Sequence, residues 1–236
     1  MVVTLIGTGR LGTNLHHALT ETGHEVVWLH GRDFAAEDVR GEVVVICVKD
    51  DAIMSVAERL GNTRALVVHT SGSTDIGALP QPRRGVFYPM QTFSRERLVD
   101  FAEIPVFLEA DDAEDMKLLV QLAGSVSRNV RQLDSQRRRY LHLAAVFACN
   151  FTNHCYNLAA QVLSEVDLPF EVMLPLIDET ARKVHTMTPQ EAQTGPAIRY
   201  DEQVIRRHEG MLEGDAKEIY HLMSKSIHDK LRTDKD

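Results

Sequence analysis

The sequence predicts an α/β chain: a doubly wound, mostly parallel sheet followed by an all-helical C-terminal region. Two observations carry this. Short, continuously apolar runs alternate with helix-period stretches through residue 133, as strands buried on both faces of a parallel sheet do. From Ser135 onward only helical segments remain, separated by Pro, Gly and capping residues.

In chain order, Val2–Ile6 is a β-rich run ending at Gly7, read as a buried strand. Leu11, Leu15, Ala18 and Leu19 give Arg10–Thr22 a helical face that stops at Gly23. A second strand, Glu25–His30, follows at once, and further apolar runs lie at Val43–Val48, Ala65–His69, Gly85–Tyr88 and Ile104–Leu108. Ala52–Leu60 and Ala113–Ala123 are helix-compatible. Tyr140–Leu163 reads as one long helix. Thr188-Pro189-Gln190-Glu191 orders a cap, a first-turn proline and a capping-box glutamate. Asp201 caps a helix including Val204, Ile205 and Met211, and Gly214–Glu218 starts the last one. The expected domains are residues 1–133, binding a dinucleotide, and residues 134–236, serving substrate and dimerisation.

Composition narrows the class. With 26 Lys and Arg against 34 Asp and Glu, the 236-residue chain carries −8, which argues against a whole-surface attraction to nucleic acid or anionic lipid. No apolar run approaches the ~20 residues of a membrane span, and the Met1–Gly7 opening lacks a signal-peptide pattern. Cys47, Cys149 and Cys155 follow no disulfide or zinc spacing. A cytoplasmic protein is expected. The eleven histidines contain no His-Glu-x-x-His arrangement and no paired Cys-x-x-Cys, so no metal site is expected. The basic runs Arg83-Arg84 and Arg137-Arg138-Arg139 read as solvated faces.

Gly7-Thr8-Gly9-Arg10-Leu11-Gly12 is a G-x-G-x-x-G turn that follows a strand and opens a helix. In such a turn the first glycine permits the tight bend, the second lets backbone approach a pyrophosphate, and the third lets helix and strand pack closely. Main-chain N–H groups at the helix start then hold the anion. An acid about 20 residues on would bind the ribose hydroxyls of NAD, whereas an arginine accommodates the 2′-phosphate of NADP. Here His30-Gly31-Arg32-Asp33 places Arg32 in the window, favouring NADP, with Asp33 the competing ribose ligand.

Ligands of an open parallel sheet sit beyond the carboxyl ends of its strands. The loops Val48–Ala52, His69–Ser73 and Tyr88–Thr92 outline one cleft there, with Val48 and Ser71 as cofactor contacts and Gln91 near the substrate. Ordinary loop hydrogen bonding and capping compete with each of these roles. On the long helix His142, Cys149, Asn150, Asn153 and Asn157 fall within roughly a third of the circumference at 100° per residue. An interhelical hydrogen-bond network and a catalytic cleft both explain this stripe. His142, by the chemistry of imidazole, is the candidate proton donor or acceptor, with Asn150 and Asn153 beside it as candidate catalytic residues.

Ile6–Gly12, Cys47–Ile53 and His69–Ser73 resemble the Rossmann domain of pyrroline-carboxylate reductases and β-hydroxyacid dehydrogenases. Tyr88–Ser94, His142–Phe151 and Gly195-Pro196-Ala197-Ile198-Arg199 resemble a bacterial family assigned as NADP-dependent oxidoreductases, whose helical C-terminal domain has no known function. The likeness spans nearly the whole chain and implies a homodimer through the helical domain, with the substrate cleft between domains. Two departures stand out. The dehydrogenases place a catalytic lysine four residues before an asparagine; if Asn150 is that asparagine, the lysine position is Val146, and their acid–base chemistry does not transfer. Members of the closer family tend to have histidine where this chain has Tyr88.

The leading function is hydride transfer between NADPH and a small carbonyl, imine or alcohol. The alternative is a non-catalytic NADP(H)-binding regulatory or redox-sensing protein, which the absent lysine favours. Metal-dependent hydrolysis rests on histidine count and fails on spacing. Replacing Arg32 with Ala is expected to weaken NADP+ binding far more than NAD+ binding by calorimetry; equal weakening would remove Arg32 from 2′-phosphate recognition.

Overall fold

A computed structural model describes residues 1–233. The chain forms two compact units, Met1–Phe151 and a second that starts at Thr152.

The first unit is built on a seven-stranded sheet: β1 (Val2–Ile6), β2 (Glu25–Leu29), β3 (Val43–Ile46), β4 (Leu66–His69), β5 (Arg84–Pro89), β6 (Val106–Ala110) and β7 (Val130–Gln132). Its spatial order is β2-β1-β3-β4-β5-β6-β7. All neighbours are parallel except β5 and β6, where Gly85 faces Ala110 and Pro89 faces Val106. The connection from β5 to β6 contains only the short 3-10 turn Phe101–Glu103. Without a crossover helix the chain returns beside β5 in the opposite sense. β7 escapes the sequence reading because Val130-Arg131-Gln132 has one apolar residue and lies at the sheet edge.

Helices α1 (Arg10–Glu21), α2 (Ile53–Leu60), α3 (Ala113–Val126) and α4 (Ser135–Ala145) cover this sheet. One face packs Leu5, Val45 and Phe87 against Leu15, Leu19, Leu119 and Leu122. The other packs Ile46 and Val67 against Ile53, Val56 and Leu60 of α2, and Val86, Tyr88 and Phe107 against Leu141 of α4. Each such buried side chain contributes about 1.5–3 kcal/mol, so the alternating strand pattern is enforced from both faces.

One basic residue is not on a solvated face. Arg138 is fully buried and pairs through Nη1 with Glu109 of β6. Its Nη2 donates to the Thr74 carbonyl at 2.5 Å and to Ser135 Oγ at 3.0 Å. Ser135 in turn donates its N–H and hydroxyl to the Glu109 carboxylate, at 2.9 and 2.7 Å. Asp134 caps the helix through the Arg137 N–H. These bonds fasten α4 over the end of the sheet.

After α4, Val146–Phe151 winds as a π-helix and ends the first unit. A π turn holds an extra residue, so the regular spacing that puts His142 and the asparagines on one stripe is interrupted here. The second unit contains α5 (Thr152–Ser164), α6 (Leu174–Lys183), α7 (Pro196–Arg199), α8 (Glu202–Glu209) and α9 (Gly214–Thr233). Two expectations change. The capping box at Thr188 forms, with Thr188 N–H donating to Glu191 and Glu191 N–H to Thr188 Oγ1. It closes a single turn, however, because Thr194-Gly195, with Gly195 at φ +105°, redirects the chain. Asp201 caps α8 as expected, but the helix stops at Glu209, so Met211 lies beyond it.

Candidate functional site

The glycine-rich turn leaves β1 and enters α1 under tight steric limits. A Cβ on Gly7, whose φ is +124°, would lie 2.1 Å from the Cys47 carbonyl oxygen, and one on Gly12 would lie 2.2 Å from that of Gly7. Gly9 is the exception: a Cβ there meets nothing within 4 Å, so its side is open. Gly9 is the extended N-cap of α1, and no side chain caps the helix. The first-turn N–H groups of Arg10 and Leu11 therefore remain available to an anion. This open, uncapped cradle fits the pyrophosphate of a dinucleotide.

Two side chains distant in sequence, Trp28 and Arg95, bond to carbonyls of the turn. Trp28 Nε1 donates to the Gly7 carbonyl at 2.9 Å, and its ring stacks on His16 at 4.2 Å. Arg95 Nη2 donates to the Thr8 carbonyl at 3.0 Å, and Thr8 Oγ1 lies 3.2 Å from His30 Nδ1. The buried Asn14 fixes the segment that carries Arg95: its amide donates to Ser94 O and accepts from Val99 N–H. Sequence reasoning missed Trp28 and Arg95, since bonds to main-chain carbonyls leave no residue pattern.

At the end of β2, Arg32 is exposed and its guanidinium has no side-chain partner among the described residues. Asp33 is exposed beside it. The loop itself is pinned by Arg59 of α2. Its Nη1 donates to Arg32 O at 2.6 Å, its Nη2 donates to Gly31 O, and its charge lies 4.2 Å from the centre of the Phe34 ring. Val48 abuts the same loop, for a Cβ on Gly31 would come within 2.8 Å of its Cγ1. The loops after β2 and β3 thus meet beside the glycine turn, where strand order reverses about β1 and β3 and such sheets bind their ligands.

A second cluster lies beyond β4 and β5, under α4. His69 is fully buried; its Nδ1 accepts from the Ser71 N–H at 3.2 Å and its Nε2 reaches no partner. Ser71 is buried too, its hydroxyl accepting from the N–H groups of Ser73 and Thr74. It shapes the turn that places Gly72 against His142. A Cβ on Gly72 would sit 2.6 Å from His142 Nδ1. The same nitrogen meets Tyr88, whose hydroxyl lies 3.2 Å from it with the rings at 76°. Burial raises the Tyr88 phenol and the nearby Arg138 charge lowers it, the former prevailing. Asn150 is exposed in the π-helical turn, and Asn153 is exposed in the second unit. Gln91 is exposed, its Oε1 accepting from the Thr92 N–H. Tyr88 carries no assigned role in the sequence reading, because members of the family the chain resembles tend to have histidine at that position.

The strand order, the glycine turn and the open helix end place the chain in the Rossmann-like class of α/β proteins. It belongs to the family described as domain of unknown function DUF2520, whose model matches residues 104–227. A Bacteroides fragilis protein assigned as an NADP oxidoreductase is 44% identical, the match covering 97% of this chain and 98% of that one at a TM-score of 0.89. A Thermotoga maritima protein shares the fold at 22% identity, with 96% and 98% covered and a TM-score of 0.77. So does an imine reductase from Myxococcus stipitatus in complex with NADP+, at 14% identity, 99% and 93% coverage and a TM-score of 0.69. No curated protein matches the chain.

Burial, with the Arg138 charge second, lowers His69 from 6.5 to about 4. Its folded-state value lies below the unfolded one, so the unfolded chain takes up the proton first. The stabilisation tied to neutral His69 is complete above pH 6.5 and is lost as pH falls toward 4, a difference of about 3 kcal/mol in all. A His69→Gln variant should lose less stability than the wild type between those limits in thermal melts; parallel decline of the two would show that His69 is not the acid-sensitive group.

Proposed function

We propose that the protein is an NADP(H)-dependent oxidoreductase that acts on a small carbonyl, imine or alcohol, in the cytoplasm and as a homodimer. The observation that carries the reading is the uncapped α1 start at Gly9, beside an exposed Arg32 whose side chain has no partner among the described residues, on a loop that Arg59 pins. The 44% identical B. fragilis protein, assigned as an NADP oxidoreductase, supports it.

Gly7, Thr8, Gly9, Arg10, Leu11 and Gly12 would hold the pyrophosphate through main-chain N–H groups, with Arg32 at the 2′-phosphate and Val48 and Ser71 lining the path. The bound nicotinamide supplies or takes up the hydride. His142 would then give a proton to, or take one from, the substrate heteroatom. The exposed amides of Asn150 and Asn153 would each serve as substrate ligands. The competing reading, a non-catalytic NADP(H)-binding regulator, draws on Val146 standing where related dehydrogenases have lysine. Three free cysteines suit a reducing compartment, and no described helix is long and apolar enough to cross a membrane.

Calorimetry should show NADP+ binding, with quenching of Trp28, the single tryptophan, as an optical check. A screen of carbonyls, imines and alcohols read by NADPH absorbance should then find turnover that His142→Gln lowers by about 100-fold or more. Failure to bind NADP+ would sink the proposal, and binding without turnover across the screen would favour the regulator.

The dimer rests on the second unit's apolar surface. Ala197 is its only buried hydrophobic residue among those described, while Leu176, Met211 and Leu222 are 62%, 72% and 64% exposed. A helical unit that buries so few of its apolar side chains by itself supports a partner that covers them. Sedimentation at micromolar concentration should give twice the 26.5 kDa chain mass, and Leu176→Glu with Leu222→Glu should give monomer. A wild-type monomer would refute the assembly.

A further inference from the structure

His142 presents two chemically different edges. The Nδ1 edge is enclosed by the Gly72 backbone, against which no Cβ could fit, and by the Tyr88 hydroxyl at 3.2 Å. Nε2, across the ring, has no partner among the described residues and is not among the buried polar atoms that lack one. A neutral imidazole carries its proton on one nitrogen only, and the bond made by one nitrogen decides the state of the other.

Tyr88 settles which. Its side chain is 8% exposed, and His142 Nδ1 is the one hydrogen-bond partner its hydroxyl has among the described residues. If Nδ1 carried the proton, the phenol would accept there, and the O–H of this largely buried residue would be left with no partner among the described residues, a loss that disfavours that tautomer. If Nδ1 is the acceptor, the phenol proton is satisfied and the ring proton sits on Nε2.

We infer that Tyr88 is a positioning residue that donates to His142 Nδ1 and holds the ring as its Nε2–H tautomer, so that His142 meets substrate as a neutral hydrogen-bond donor. A proton passed on from Nε2 is replaced at Nδ1 by that of the Tyr88 hydroxyl, and oxidation runs the same relay in reverse. The ligand chemistry this suits is an uncharged lone-pair acceptor, a carbonyl oxygen or an unprotonated imine nitrogen. A protonated iminium has no lone pair to offer and is not matched. This deepens the oxidoreductase reading and rests on it for the role of His142, but the tautomer itself can be read without cofactor or substrate.

The test is long-range proton–nitrogen correlation of the histidine rings in the full 15N-labelled chain at neutral pH, with His142 assigned by the signal that His142→Gln removes. The wild type should show a protonated Nε2 and an unprotonated, acceptor-type Nδ1. In Tyr88→Phe the Nδ1 resonance should move toward the average of two exchanging tautomers, with far-ultraviolet circular dichroism unchanged. A protonated Nδ1 in the wild type, whether as the other tautomer or as imidazolium, overturns the inference, as does an unaltered Nδ1 resonance in a folded Tyr88→Phe protein. Should that variant not fold, the wild-type spectrum alone decides. Trp28 quenching by NADP+ reports separately on the oxidoreductase reading, so the two can fail independently.

Discussion

A fully buried guanidinium dictates much of the first unit's architecture. Arg138 has no access to water, and a buried charge stripped of its counter-charge costs several kcal/mol, about 3–5 when one member of such a pair is removed. Glu109 must therefore reach it, and it can because β6 runs antiparallel to β5 and brings Glu109 opposite Val86. Thr74 and Ser135 accept from its Nη2, while the buried Nε reaches no partner among the described residues. His142 lies four residues further along α4, on the same face. The charge pair that anchors the helix thus also sets the height at which the imidazole stands over Gly72 and Tyr88.

The phosphate turn obeys a second constraint, steric rather than electrostatic. Gly7 and Gly12 are needed because carbonyl oxygens lie where their Cβ atoms would be, whereas Gly9 faces open space. This division of labour is the one the spacing of the motif implies, and it was legible in the sequence. So were the buried strands, since continuous runs such as Val43–Ile46 are apolar on both sides. What surrounds the turn was not legible. Trp28, Arg95 and Arg59 act through main-chain carbonyls, and every residue offers a carbonyl, so the partner's identity carries no signal.

Other readings failed for a common reason: a local pattern was outweighed by something outside it. The arginine triplet looked solvated because its charges are consecutive, yet helical geometry turns Arg138 inward and leaves Arg137 and Arg139 exposed. The Thr188–Glu191 box forms both reciprocal bonds of a capping box and still ends after one turn. Its capping chemistry specifies a beginning, while Gly195 supplies the stop. The π turn at Val146–Phe151 is invisible to a fixed angular period, which assumes the regularity it is meant to detect. His69 closes an apolar strand, and one polar residue there does not distinguish a loop ligand from a buried ring.

The contact between Gly72 and His142 also bears on how relatives of this chain can diverge. The imidazole occupies the space of a β-carbon, so any side chain at position 72 evicts the ring, while a smaller residue at 142 removes the need for glycine. The two sites are joined by exclusion rather than attraction. Across descendants they should behave as one inherited character, changing in tandem, with glycine lost only in lineages that have given up the histidine.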